Sequence, residues 1–296
     1  MIFIKSLIQS IKKFLDEDPM TYAASLAFYT VASLPAILLI AINVLSVTYD
    51  TESAKIDFLY QLNKYLGPST VEQAEIILDN AVTDYNGILP QIIGLLILAF
   101  SATTVFISLQ NGINRIWNIR RAESANGILQ TIFDRLLSLA LIASMGFIIL
   151  VTLVLDSFLG LLTEWIEMNY NDVYIVIAWF FNFVLNLLLT VSIFTIVFKV
   201  VPDAKTTWKS SFVGGIFTAT MFLFGKFLIG LYLSSADVGS SYGASGSLVV
   251  FLFWVYYSSI LIFFGSKFTY EYARMKNESL KADDNYEFVN EVAANI

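Results

Sequence analysis

The sequence holds no cysteine and no histidine in 296 residues. The first absence removes disulfides, thiolate nucleophiles and cysteine-held zinc. The second removes imidazole ligands and every His-based catalytic triad. Catalysis would have to draw on carboxylates, Lys, Tyr, Ser or a carboxylate-held metal. Charge is also scarce: 14% of the residues are charged and 57% are hydrophobic, against about 25% charged in soluble domains. A soluble fold of this composition would turn large apolar patches to water, so a polytopic membrane protein is expected. The net charge of −7 argues against a nucleic-acid-binding surface. No GxxxxGK[ST] spacing is present, so nothing supports a nucleotide-driven pump. No enzyme activity, cofactor or metal is expected.

What is present is a series of long apolar runs. Residues 1–18 come first: Ile4, Leu7, Ile8, Ile11, Phe14 and Leu15 recur at i, i+3, i+4, i+7 spacing, with Lys5, Lys12 and Lys13 between them. This predicts an amphipathic interfacial helix with its lysines toward lipid headgroups. A signal peptide is disfavoured, because no continuous apolar core or small-residue cleavage site follows the basic residues. Six runs then span a 19–276 transmembrane domain. They lie between residues 18 and 50, between 84 and 115, and over 136–162, 173–198, 211–233 and 247–266. Each is long enough for a helix across a hydrocarbon core of about 30 Å, and about twice the length of a barrel strand. The fold class is therefore all-α, a bundle of six transmembrane helices. The acidic external segment 50–86 would carry a short helix and otherwise form a solvated face; its acids lack the spacing of a calcium loop. A polar cytoplasmic tail fills 277–296, expected to be disordered from Asp283 onward.

Orientation follows from the basic residues. Of the 17 Lys and Arg, all but Lys55, Lys64 and Lys226 fall in the N-terminal segment, the loops after the second and fourth runs, or the tail. The excess of Lys and Arg marks the cytoplasmic side, so both termini are expected in the cytoplasm.

Two ionisable residues fall inside runs, Asp156 and Lys226, and such residues are functional candidates by default. At 1.5 Å per residue they sit roughly 30 Å and 24 Å along their helices, close enough in depth to pair. Either they snorkel or pair structurally, or Lys226 faces a polar cavity and meets an anionic headgroup or substrate. Asn182 and Asn186, one turn apart, and Asn43 are expected to bond across helices or to touch a substrate. Ser211, Gly215 and Ala219 put small residues at every fourth position, which predicts close helix packing. Pro35 is expected to kink the first helix, its freed carbonyl served by a neighbour or by the Thr30 or Ser33 hydroxyl. Gly243 and Gly246 belong to a Gly/Ser-rich outer turn or a short re-entrant element. Arg115 stands at the basic exit of the second run.

Four stretches together resemble the YihY/virulence factor BrkB family of bacterial inner-membrane proteins. They are DPMTYAASLAFYTVASLPAILLI (18–40), NRIWNI (114–119), FGKFLIGLY (224–232) and YGASGSLVVFLFWVYYSSILIFFGSKFTYEYAR (242–274). Lys226 falls on a lysine typical of that family. One departure is Ser266-Lys267, where the family commonly has Gly-Ala-Glu, so a base stands in the place of an acid. The resemblance implies a six-helix protein of the bacterial cytoplasmic membrane with cytoplasmic termini. Members have been called "ribonuclease BN"; others are tied to serum resistance and to export of lipid A precursors. The residues themselves speak against a ribonuclease, which needs a base and acid or a metal cluster in a basic groove. The expected function is a transporter or flippase-like protein for an anionic lipid or amphiphile, with membrane lipids as partners and no nucleic acid. A non-transporting membrane scaffold or assembly factor is the alternative, and homo-oligomerisation is left open.

Overall fold

A computed structural model describes residues 2–45, 56, 59–60, 71, 75, 88–122, 172–235, 246–283 and 285–289. Asp156, Gly243, the 136–162 run and most of the acidic 50–86 segment lie outside the described residues. So do the side chains of Pro35, Asn43, Asn182 and Lys226.

Six helices are described: α1 (Ile2–Phe14), α2 (Pro19–Leu45), α3 (Ile88–Ile116), α4 (Asp172–Val200), α5 (Trp208–Ser235) and α6 (Gly246–Met275). Four short strands join them: β1 (Ile119–Arg121), β2 (Ala204–Lys205), β3 (Lys281–Ala282) and β4 (Tyr286–Phe288). Helices α2 to α6 each run 27 to 30 residues, ample for a bilayer. Two windows, Phe183–Val200 and Phe251–Met275, are apolar enough to cross a membrane. Only 22% and 39% of those windows are buried. By length and composition both windows can cross a membrane, and most of their surface is not covered by the described fold.

The helix ends follow local chemistry. A 3-10 turn over Leu15–Glu17 and a left-handed Asp18 (φ 52°, ψ 48°) end the first segment, and Pro19 opens α2 at the first helical position, where its missing N–H costs nothing. Thr207 caps α5 through a hydrogen bond from the Ser210 N–H to its hydroxyl at 3.3 Å. After α6, Asn277 turns left-handed (φ 54°). Its N–H bonds Arg274 O at 3.0 Å while the Glu278 N–H reaches Ala273 O at 3.1 Å, the paired bonds of a Schellman stop. Pro35 sits within an unbroken α2. The Thr30 and Ser33 hydroxyls donate to Leu26 O and Thr30 O, so neither serves the Val31 carbonyl that Pro35 frees.

The chain divides into two compact units. Unit 1 comprises residues 1–19, 110–224 and 261–296. Its core rests on small-residue contacts. Gly214 and Thr218 on α5 oppose Thr269 and Gly265 on α6, and a Cβ at either glycine would overlap the facing threonine. Both threonine hydroxyls are turned inward onto Gly214 O and Gly265 O, at 2.8 Å each. On the same helix α5, Ser211, Gly215 and Ala219 are buried; a Cβ at Gly215 would stand 2.8 Å from Val191 O on α4. Phe217, Phe264, Phe268 and Phe14 fill the rest, with Phe217 and Phe268 stacked at 4.3 Å.

The C-terminal segment corrects the expectation of a disordered tail as far as Val289. β3 pairs antiparallel with β2, and β4 with β1, bringing Phe288 opposite Ile119. Both of those side chains are buried, and Phe288 meets Tyr270 at 6.4 Å. Arg120 and Glu287 add an ion pair at 2.8 Å. Polar composition hid these apolar positions, and their strand partners lie more than 70 residues away in sequence.

Unit 2 comprises residues 20–109 and 225–260. Within it the Ser25 and Ser108 hydroxyls lie 3.5 Å apart. Gly225 lets the Tyr257 ring press directly on its backbone, and Phe28, Phe100 and Phe253 point outward, exposed.

Candidate functional site: a buried charge cluster in unit 1

The last three turns of α6 carry a lysine and a glutamate four residues apart, Lys267 and Glu271, on one helix face. The sequence alone places Lys267 among the solvated basic residues at a helix exit. The structure corrects this: α6 continues nine residues past the apolar run, and Lys267 and Glu271 are each 1% exposed. On the α3 side the buried Ile116 and Trp117 close over this part of α6, Ile116 through its carbonyl to Lys267 and Trp117 through Ser266 and the Tyr270 ring.

The Lys267 amine donates to Ile116 O at 3.1 Å and lies 5.5 Å over the Tyr270 ring. Ile116 is the last residue of α3, and its carbonyl is one that no intrahelical donor can reach. Lys267 therefore caps α3 with a charge of favourable sign for a helix C-terminus. Glu271 is differently placed. Lys13 Nζ of α1 stands 4.0 Å from Oε1, and Arg274 Nη1 stands 3.7 Å from Oε2. Neither oxygen accepts a hydrogen bond. A carboxylate without hydrogen bonds in a dry setting is costly, offset here by three nearby cations.

Around this pair the motif residues of 114–119 take defined roles. Trp117 is fully buried and its Nε1 donates to Ser266 Oγ at 2.7 Å and Ser266 O at 3.1 Å. Asn118 adopts the left-handed conformation (φ 58°) that ends α3, and its amide donates to Glu17 Oε1 at 2.9 Å. Arg115, half-exposed, reaches the other Glu17 oxygen at 3.8 Å. Asn114 and Asp203 exchange bonds: Asn114 Nδ2 donates to Oδ2 at 2.6 Å and the Asp203 N–H returns to Oδ1 at 3.0 Å. Gln110 donates to both Asp203 oxygens.

Unit 1 thus gathers residues that the sequence scattered over an N-terminal helix, a loop and a tail. Of the sequence candidates, Arg115 takes part. Asn186 lies exposed on α4, and its carbonyl accepts the Thr190 hydroxyl at 2.8 Å. Gly246 is the first residue of α6. Lys267 and Glu271 were missed because a base after an apolar run reads as an exit. The available signal was their i, i+4 spacing inside an aromatic stretch. Among the described residues no three Asp or Glu side chains converge to hold a metal ion.

Comparison with known proteins gives this arrangement a family. A "UPF0761 membrane protein" of Pseudomonas aeruginosa is 29% identical over 176 residues, covering 59% of this chain and 40% of that protein. Another, from Psychrobacter, is 26% identical over 272 residues, covering 90% and 48%. The chain thus spans less than half the length of these two relatives. The ribonuclease-like protein YfkH of Bacillus subtilis is 25% identical over 274 residues and covered over 94% of its length. No solved structure matches. The profile of the virulence factor BrkB family matches residues 10–287, nearly the whole chain: this is a membrane protein of the virulence factor BrkB family.

Proposed function

We propose that the chain is a multi-pass protein of the bacterial cytoplasmic membrane, with both termini in the cytoplasm, that moves a lipid or amphiphile between its helices. The observation that carries this reading is the fully buried Lys267 and Glu271, the latter with neither oxygen hydrogen-bonded. Buried charges add little net stability compared with apolar residues of like volume, and their best-attested uses are registry and switching. Of these two uses, switching is the one that a moving bundle adds to a static one. The lysines and arginines around it favour an anionic cargo. A ribonuclease reading finds no support in this chemistry, since the acids here are held by bases and by amide donors rather than left to act on a phosphate.

A second reading, a non-transporting scaffold or assembly factor, is favoured by the Gly–Thr contacts of α5 with α6, which leave no space between those helices.

The test reconstitutes purified protein in liposomes with fluorescent headgroup-labelled lipids and follows their accessibility to a membrane-impermeant quencher. The native protein is expected to move lipid, empty liposomes are not, and Lys226→Ala is expected to slow the movement several-fold. Absence of movement for every lipid, with folding verified, establishes the scaffold reading instead.

A further inference from the structure

Helix α1 presents three rows of side chains at about 100° per residue. Ser6, Ser10 and Phe14 form a buried row. The Ser6 hydroxyl reaches Met275 Sδ at 3.4 Å, and Phe14 meets Phe264 at 5.1 Å. The opposite row is Ile4, Ile8, Ile11 and Leu15, all exposed. Between them, along one edge, run Lys5, Gln9, Lys12 and Lys13. The serine face is thus turned to the protein and the aliphatic face away from it, the reverse of a helix packed on a soluble core.

The basic row ends at Lys13, which with Arg274 flanks Glu271. Their side chains are 38% and 53% exposed, so both retain free N–H donors. With Lys267 one turn away, three cations surround Glu271, while the second carboxylate near Lys267, Glu17, is taken up by Arg115 and Asn118. The excess positive charge lies beside the aliphatic row, on a helix that leads within five residues into the charge-free α2. A ligand matching this surface carries a negative headgroup and an apolar body, and it belongs to a bilayer rather than to water.

We propose that α1 and the end of α6 form a binding site for an anionic phospholipid, with Lys13 and Arg274 receiving the phosphate, Lys12 beside them, and the Ile4–Ile8–Ile11–Leu15 row immersed among acyl chains. The site holds a resident lipid whether or not the chain transports one. Full-length protein is equilibrated in detergent with an equimolar mixture of phosphatidylglycerol and phosphatidylcholine, washed, and its retained lipid weighed by mass spectrometry. Native protein is expected to retain several-fold more phosphatidylglycerol. Lys13→Gln/Arg274→Gln should bring the ratio to parity, while Lys205→Gln/Lys281→Gln on the β2–β3 ribbon leaves it high. Parity in the native protein, an unchanged ratio in the first double variant, or displacement by equimolar inorganic phosphate overturns the proposal. A second measurement applies if that variant fails to fold. Because the chain lacks cysteine, Ile11→Cys accepts one fluorophore; in nanodiscs it should be quenched by acyl-brominated lipid and shielded from iodide. Quenching by iodide alone overturns the proposal and points to an aqueous partner such as an acidic peptide.

Discussion

Lys267→Met is expected to destabilise the detergent-purified protein by about 3–5 kcal/mol, read from reversible denaturation in mixed micelles. Methionine keeps an unbranched side chain of similar reach, so packing loss is small. What is lost is the amine that caps Ile116 O and the positive charge one turn from Glu271. Glu271 then keeps only Lys13 and Arg274, at 4.0 and 3.7 Å and without hydrogen bonds. The double variant Lys267→Met/Glu271→Met removes both buried charges. It should be more stable than Lys267→Met, with a coupling of about 1–3 kcal/mol in the cycle. Strict additivity would show that the two groups do not sense each other. A single-variant cost below about 1 kcal/mol, the level of an exposed pair, would show that water reaches the cluster.

Trp117→Ala should cost about 3–5 kcal/mol, the range for emptying a buried aromatic site. Trp117 contacts the cluster from the α3 side: its ring centroid lies 5.6 Å from Tyr270, and its Nε1 holds Ser266, the residue before Lys267. Trp117→Phe separates the two contributions. It keeps much of the apolar volume and removes the donor with a smaller part of the ring, so a loss of about 1–2 kcal/mol is expected. An equal cost for both substitutions would assign the whole effect to the hydrogen bond, and an unchanged midpoint for Trp117→Phe would assign it to packing. Because Trp117 directly follows Ile116, whose carbonyl Lys267 caps, their substitutions should not be additive.

Much of the architecture was legible from elementary patterns. The runs that gave α2 to α6 are long and nearly free of charge, which is enough to mark them as helices of membrane-spanning length. The amphipathic period of residues 2–14 was equally plain, but not which face meets the protein. Two serines at Ser6 and Ser10 allow α1 to approach α6, which leaves the aliphatic face pointing outward. The small-residue row Ser211–Gly215–Ala219 predicted close packing, whereas the neighbouring Gly214–Thr218 row did not stand out, since its meaning depends on Gly265 and Thr269 of another helix. The strand pairing of Phe288 with Ile119 is likewise a contact across distant segments. The site was harder. Lys226 and Asp156 attract attention because they interrupt apolar runs, while Lys267 and Glu271 follow one and so resemble a solvated end. Their surroundings come from Ile116 and Trp117 at the end of α3 and from Lys13 on α1, which no local window around Glu271 contains.

The most direct measurement of whether the buried charges serve movement of lipid is the transport rate of Glu271→Gln in liposomes, with folding monitored in parallel. Glutamine keeps the shape and removes the charge that Lys13, Lys267 and Arg274 surround. The account predicts a folded protein whose lipid movement differs from the native rate by at least several-fold. A native rate in a folded Glu271→Gln protein would contradict it and leave the cluster a structural device.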